Sequence, residues 1–318
     1  MRFVFRRSLL RYAILGTGAV GGFYGARLQR SGQEVHFLAR SDYKAIRSQG
    51  LHIKSKDGDF TLPKVYVYDD PKDMPPCDVA IVAFKTTENY LLPKILPPVL
   101  KENGVALLLQ NGLGSEQEVA TFLEPEQIFG GLSFICANRL APGHIHHLDY
   151  GFMTLGAYAP NYAARGISPI LEAIGKDFHC AGFAVTLEKD LLLARWKKLV
   201  WNIPFNGLSV ILNAQTDKMM ASPAIRALAE QLMQEVLAGA RACGREIPKA
   251  FLEDMLEHTA KMIPYKTSMK LDSEAGRPLE VEAIYGNPLR MAKQFGIELP
   301  RIEVLYQQLQ FLNANLPS

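Results

Sequence analysis

The 318-residue sequence predicts two architectures in one chain, a doubly wound α/β half followed by an all-helical half. Three observations predict it. Short apolar runs alternate with helical stretches through residues 1–186. A glycine triplet sits at the first strand-to-helix turn. From about Leu187 strand-like runs give way to long stretches of helical periodicity, which sets a second domain at 187–318. Apolar residues make up 48% and charged residues 21%, ordinary for a soluble globular chain, and the length suits two cores better than one.

Composition also excludes several classes. A net charge of +3, without a dense Lys/Arg run, argues against a nucleic-acid partner. Four scattered cysteines with no CxxC pair suggest neither a zinc site nor a disulfide framework and fit a reducing cytoplasm. No apolar run is long enough to span a membrane. "MRFVFRRSLLRYAILG" mixes basic and apolar residues, but Arg6, Arg7 and Arg11 break the apolar core a signal peptide needs. Residues 1–10 therefore read as a short extension ahead of the first strand.

"YAIL" is a short buried strand, "GTGAVG" follows it at once, and "FYGARLQRSG" continues with helical periodicity to a glycine stop. "EVHFLAR" is the second strand. The unit is βαβ with Gly16-x-Gly18-x-x-Gly21 at its first turn, a Rossmann-type dinucleotide fingerprint. Gly16 permits the tight turn, Gly18 lets the backbone approach a pyrophosphate, and Gly21 lets helix and strand pack closely. Thr17, Ala19 and Val20 complete this backbone cradle, where the helix N-terminus offers N–H groups to phosphate. The alternative is a merely glycine-rich turn.

The second strand ends in Arg40, where an NAD site usually carries an acid for the ribose hydroxyls. An arginine can meet a 2′-phosphate instead, which favours NADPH; the bland reading is a solvated strand-end arginine. Val79–Phe84 is a further strand leading to Lys85, and "GVALLLQNGLG" another leading to Asn111. Ligands of open parallel sheets lie beyond the carboxyl ends of strands. Lys85 is thus placed for ribose or phosphate and Asn111 for the nicotinamide end, although Asn111-Gly112 also suits an ordinary turn. "IFGGLSFICANRL" and "HIHHLDYGFMTLGAY" read as shorter strands of the same sheet. His144, His146 and His147 lack a carboxylate or cysteine at chelating spacing, so a solvated strand edge is expected and no metal.

In the helical half, Ser222-Pro223 is an N-cap and N1 pair, and Gly244 and Gly296 are helix stops. An α/β half followed by a helical half suits a dehydrogenase with its active site in the cleft between them. "WKKLVWNIPFNGL" places Trp196, Leu199, Val200 and Ile203 on one apolar stripe. Lys198, Asn202 and Asn206 run beside it at i, i+4, i+8. Lys197 borders the other edge; the spacing to the asparagines selects Lys198. Pro204 cannot donate to Val200, so a kink or loosening is expected, at about 3 kcal/mol in an unsupported helix interior. A solvent-facing amide pair on a bent helix is the alternative. A lysine ammonium beside neutral amides suits proton donation to a carbonyl that receives hydride. Ser268 is expected just before a loop. Glu280 is expected in the first turn of the next helix with Pro278 at N1, where it could simply answer the macrodipole. Arg277 before Pro278 rules out a standard capping box.

Together "ILGTGAVGGFYGARL", "FKT", "QNGLG", "WKKLVWNIPFN", Ser268-Met269, "LEVEAIYG" and "GIELP" resemble the ketopantoate reductases (2-dehydropantoate 2-reductases), over nearly the whole chain after residue 11. The resemblance implies NADPH-dependent reduction of 2-dehydropantoate to (R)-pantoate, towards pantothenate and coenzyme A. It implies Lys198 as catalytic proton donor and Glu280 as its acidic partner near the cofactor ribose. It implies Asn111, Asn202, Asn206 and Ser268 as substrate contacts, and Gly16, Gly18, Gly21, Arg40, Lys85 and Asn111 as the NADPH site. Thr216 stands where some relatives carry a further asparagine ligand, with Asn213 nearby but out of step. Two alternatives follow: a reductase of another 2-keto acid, or a non-catalytic NADPH-binding sensor module. Oligomeric state stays open, with a homodimer among the alternatives.

Overall fold

The structure is a computed structural model and describes residues Leu10–Leu316. The extension expected over residues 1–10 lies, except for Leu10, outside the described residues. Two compact units are present: residues through Gln110 with Glu116–Leu191, and Asn111–Ser115 with Leu192 onward.

The first unit is built on β1 (Arg11–Leu15), α1 (Ala19–Arg30) and β2 (Glu34–Leu38). Both strands are buried almost end to end, as central parallel strands covered on two faces must be, so they read as apolar runs rather than alternating ones. Helix α1 buries Phe23, Tyr24, Ala26 and Leu28. It lies so close to the sheet that a Cβ on Gly25 would come within 2.5 Å of the Phe37 ring. Arg27 and Arg30 occupy its last turn, where cations suit the dipole. The chain continues through α2 (Tyr43–Gln49), β3 (Leu51–Ser55), β4 (Phe60–Leu62), β5 (Tyr66–Tyr68) and β6 (Cys77–Val82). Then come α3 (Leu92–Ile95), β7 (Leu100–Leu108), α4 (Ser115–Val119), β8 (Ile128–Ala141), β9 (His144–Ala157), α5 (Pro169–Cys180) and β10 (Val185–Glu188).

The strands form one sheet in the order β4-β3-β9-β8-β7-β6-β1-β2-β5, with β10 paired to β9. All pairings are parallel except β3 with β4 and β8 with β9. From β1 the chain runs outward through β2 and β5, while β6 pairs on the other side of β1. The topological switch point is therefore at the carboxyl ends of β1 and β6, where a ligand is expected in such a sheet. The strand expected at Val79–Phe84 ends earlier, at Val82, so Ala83, Phe84 and Lys85 form the loop at that switch point.

Two expectations need correction. The segments read as shorter strands, β8 and β9, are each 14 residues long and form an antiparallel hairpin with several register shifts. The histidines of β9 are also not a solvated edge, because β3 pairs outside them. His144 stacks on His52 with ring centroids 4.4 Å apart. His147 is 1% exposed, lies 4.4 Å from the Phe23 ring centroid, and pairs through Nδ1 with Ser55 Oγ at 2.9 Å. Its Nε2 contacts the carbonyls of Asp149 (3.1 Å) and Tyr150 (2.8 Å). Carbonyls only accept, so Nε2 carries the proton and Nδ1 accepts from the serine. Among the described residues no group of three or more His, Cys, Asp or Glu is placed to hold a metal ion. Among them, too, no helix is long and apolar enough to cross a membrane.

The second unit is helical: α6 (Leu191–Ile211), α7 (Thr216–Ala221), α8 (Pro223–Ala242), α9 (Lys249–Lys261), α10 (Ser268–Glu274), α11 (Asn287–Gln294) and α12 (Pro300–Ala314). A π-helical turn, Glu282–Gly286, leads into α11. The expected α6 stripe of Trp196, Leu199, Val200 and Ile203 is fully buried. Trp196 lies over Gly239 of α8, where a Cβ would approach the indole to 2.8 Å. Ser222 and Pro223 open α8 as expected, and Gly244 and Gly296 follow α8 and α11 at φ +75° and +78°.

Burial lowers the His147 pKa below the ordinary imidazole value of 6.5. A depressed folded value means that the unfolded chain takes up the proton first. The stability His147 contributes is therefore present above about pH 6.5 and is lost as the pH falls below it. Melting temperature should fall over that range, and His147→Gln, which keeps a donor and an acceptor, should flatten the fall. An unchanged slope would assign the acid sensitivity to other groups.

Candidate functional site

In the first unit the glycine loop joins the switch point. Gly16 has φ +98°, and a Cβ there would lie 2.8 Å from the Phe84 nitrogen. A Cβ on Gly21 would lie 2.2 Å from the Gly16 carbonyl oxygen and 2.9 Å from the Ala83 methyl. Both glycines are fixed by close packing. Gly18 differs: nothing lies within 4 Å of where its Cβ would be. This opening sits at the N-cap of α1, where the first backbone N–H groups, those of Ala19, Val20 and Gly21, have no intrahelical acceptor. The cradle fits a pyrophosphate. Thr17 donates its hydroxyl to the Leu38 carbonyl at 3.0 Å, so its side chain fastens the loop to β2 and only its backbone is available to a ligand. Arg40, 69% exposed, donates to Glu88 at 2.9 Å. Glu88 was not anticipated; it lies on the turn that follows Lys85, 48 residues beyond Arg40. Lys85 is half-buried at the start of that turn.

In the second unit Lys198, Asn202 and Asn206 share α6. Lys198 is half-buried, and Asn202 and Asn206 are buried at 3% and 2% exposure. The amides are therefore not a solvent-facing pair. Asn202 Nδ2 donates to Asn111 Oδ1 at 3.4 Å, which brings those two predicted residues together. The Asn206 Oδ1 is buried without a hydrogen-bond partner. Such an acceptor costs about 1–3 kcal/mol.

Pro204 does not end α6. The Tyr285 hydroxyl donates to the Ile203 carbonyl, on the residue before the proline, at 2.9 Å. Burial holds the Tyr285 phenol well above its usual range, so it stays a neutral donor. A Cβ on Gly207 would lie 2.8 Å from this hydroxyl and 2.7 Å from Leu305, so the glycine makes room for it. Tyr285 lies in the π-helical turn, a feature frequent at functional sites.

The remaining predicted residues attach to this stretch. The Asn111–Ser115 loop packs on the same turn: the Leu113 N–H donates to the Ala283 carbonyl at 2.8 Å. Asn287 Nδ2 donates to the Leu113 carbonyl at 2.7 Å. Gly112, at φ +84°, has no room for a Cβ against the Ala283 carbonyl. Glu280 is 4% exposed and precedes the helical segment that starts at Val281. It is not in the first turn, and Pro278 is not at N1. Instead the Glu280 carbonyl accepts from the Ile284 N–H at 3.1 Å. Ser268 does not precede a loop; it is the first residue of α10, capped by Thr267, whose hydroxyl accepts from the Lys270 N–H. Thr267 also bonds Ser209 on α6, and Ser209 donates to the Asn206 carbonyl. Thr216 is fully buried and exchanges two bonds with the Tyr265 backbone, so it holds structure rather than facing a ligand. Asn213, at φ +49°, accepts from Lys270.

Tyr285→Phe removes one hydroxyl and its bond to the buried Ile203 carbonyl. It should cost about 1–3 kcal/mol in urea unfolding. A variant as stable as the parent would show that this bond adds nothing to stability.

The family model described as ketopantoate reductase PanE/ApbA matches residues 12–160, and its C-terminal companion matches residues 190–313. A 2-dehydropantoate 2-reductase from Nostoc sp. is 57% identical over 96% of this chain and 95% of its own. The crystal structure of a 2-dehydropantoate 2-reductase from Geobacter metallireducens shares 44% identity at a TM-score of 0.91, covering 95% of this chain and 99% of that one. One from Methylococcus capsulatus shares 32% identity at 0.87, covering 97% and 98%. The chain belongs to the ketopantoate reductase family of oxidoreductases.

Proposed function

We propose that the protein reduces the 2-oxo group of 2-dehydropantoate to (R)-pantoate with NADPH, a step towards pantothenate and coenzyme A. The observation that carries this reading is the buried, partnerless Asn206 oxygen on the same helical stripe as Lys198. An acceptor in that position wants a donor. A hydroxyl on the substrate supplies one, and a carboxylate does not. The name of the Nostoc relative supports the same substrate.

The cradle of Gly16, Thr17, Gly18, Ala19, Val20 and Gly21 would hold the cofactor pyrophosphate, with Arg40 at the 2′-phosphate, Lys85 at ribose or phosphate, and Asn111 and Glu280 towards the nicotinamide end. When bound, the reduced nicotinamide supplies the hydride that becomes the hydrogen on C2. Lys198 donates a proton to the 2-oxo oxygen as negative charge develops there, and its amine is reprotonated from solvent. The ammonium also draws the substrate carboxylate. Asn202 and Asn206 orient the substrate without adding charge, Ser268 takes a polar end of it, and Glu280 steers Lys198 or the substrate hydroxyl.

A second reading keeps the chemistry and changes the acid, because Thr216 stands where some relatives place a further asparagine and is committed to Tyr265. NADPH oxidation with 2-dehydropantoate and with 2-oxo acids that lack its hydroxyl separates the two. A site built to bond the hydroxyl should favour 2-dehydropantoate by at least about 10²-fold in kcat/KM. Equal rates would favour the second reading. Lys198→Ala should lower kcat by about 10²–10⁴-fold while NADPH binding holds, and undiminished turnover would remove Lys198 from the mechanism. Arg40→Asp should weaken NADPH far more than NADH; equal losses would mean that the 2′-phosphate is read elsewhere.

A further inference from the structure

Arg40 cannot serve a 2′-phosphate undisturbed, because its guanidinium already donates to the Glu88 carboxylate. A phosphate arriving there meets an arginine already engaged with a carboxylate. The residues that follow Arg40 supply what is missing. Ser41 donates its hydroxyl to Asp42 Oδ1 at 2.7 Å. The Asp42 side chain is 4% exposed, and Oδ1 also accepts from Arg139 Nη1 at 2.5 Å. Asp42 Oδ2 accepts from the Gly143 N–H at 3.4 Å. The buried carboxylate thus fastens the tip of the β8–β9 hairpin to the carboxyl end of β2. It leaves Arg139 Nη1 3.4 Å from the Ser41 oxygen, on a side chain that is still 45% exposed.

We propose that Arg139 is a second reader of the cofactor 2′-phosphate, acting with Arg40 and Ser41 to set the preference for NADPH over NADH. The proposal rests on the NADPH reading above. Adenine-ribose selectivity in this fold is decided at the end of the second strand, where Arg40 and Ser41 lie. A phosphate oxygen that takes over the Ser41 hydroxyl proton from Asp42, which keeps its bonds from Arg139 and Gly143, would lie about 2.7 Å from the serine oxygen and within reach of a guanidinium 3.4 Å from the same atom. Asp42 is buried and Arg139 is not, so solvent and ligand meet the cation of that pair more than the anion. A guanidinium has five donors, so the Nη1 contact to Asp42 fixes its position and leaves others for phosphate. The basic residue comes from 99 positions beyond Arg40, on a hairpin that the dinucleotide fingerprint does not include.

The test is equilibrium binding of NADPH, NADH and adenosine 2′,5′-bisphosphate to the intact protein and to Arg139→Ala and Arg139→Lys, followed by calorimetry. Loss of one charge-assisted contact should weaken NADPH and the bisphosphate about tenfold or more in Arg139→Ala and leave NADH within about twofold. Arg139→Lys, which keeps the charge, should recover part of the loss. Equal weakening of NADPH and NADH would reduce Arg139 to a clamp on the hairpin and overturn the proposal, as would unchanged binding of all three. Equal binding of NADPH and NADH by the unaltered protein would instead overturn the NADPH reading, and Arg139 with it.

Discussion

The second unit is organised around one hydroxyl group. Tyr285 donates to the Ile203 carbonyl, on the residue before the proline, and its hydroxyl packs against Gly207. A helix interior with Pro204 and Gly207 gives up about 4 kcal/mol against alanine at both positions. The buried phenol adds a donor to one backbone carbonyl of this stretch. Its position also sets what surrounds it. The same turn that carries Tyr285 receives the Asn111–Ser115 loop through Ala283, and that turn begins two residues after Glu280. Asn111 in turn meets Asn202. The disturbed stretch of α6 is thus the point to which the loop and the turn are tied.

The N-terminal half was legible in sequence because its determinants are local. Gly16, Gly18 and Gly21 fall within six positions at one strand-to-helix turn, two held by tight packing and one facing open space, although part of that packing comes from Ala83 and Phe84. Strand identity was legible for the same reason, through apolar runs. The lengths and pairing of β8 and β9 were not, since a long antiparallel hairpin with register shifts leaves no simple alternation to read. The histidines of β9 illustrate this. Their spacing is visible in the sequence, but their place inside the sheet depends on β3, some 90 residues earlier.

In the helical half the sequence announced the disturbance but not its remedy. Pro204 takes the helical donor from the Val200 carbonyl. The side-chain donor that reaches this stretch, Tyr285 to the neighbouring Ile203 carbonyl, comes from 82 residues away. Ser268 and Glu280 were recognisable as polar residues beside helices, yet the end of each helix lay one or more residues from its expected place. Thr267 takes the cap of α10, and Val281 starts the segment after Glu280. Helix boundaries are the least reliable part of such a reading. Likewise Arg40 could be seen, whereas Glu88 and the Ser41–Asp42–Arg139 group, which decide what its charge is worth, are joined only by folding.

Asn206 shows why this segment keeps residues that a stability criterion would remove. Its carbonyl group, as part of the backbone, is secured by Ser209, while its side-chain oxygen is left buried without a donor. Replacing it with an apolar residue of similar volume would remove that unsatisfied acceptor and should not weaken the fold by hydrogen-bonding loss. If the ligand proposed above brings a hydroxyl to that oxygen, the cost would be recovered on binding, and a ligand that binds the folded state alone would stabilise it by RT ln(1 + [L]/Kd). A ligand without a hydroxyl would leave the oxygen as it is, so on the proposed reading local instability at Asn206 and selectivity for a hydroxylated acid would be one property measured in two states of the protein.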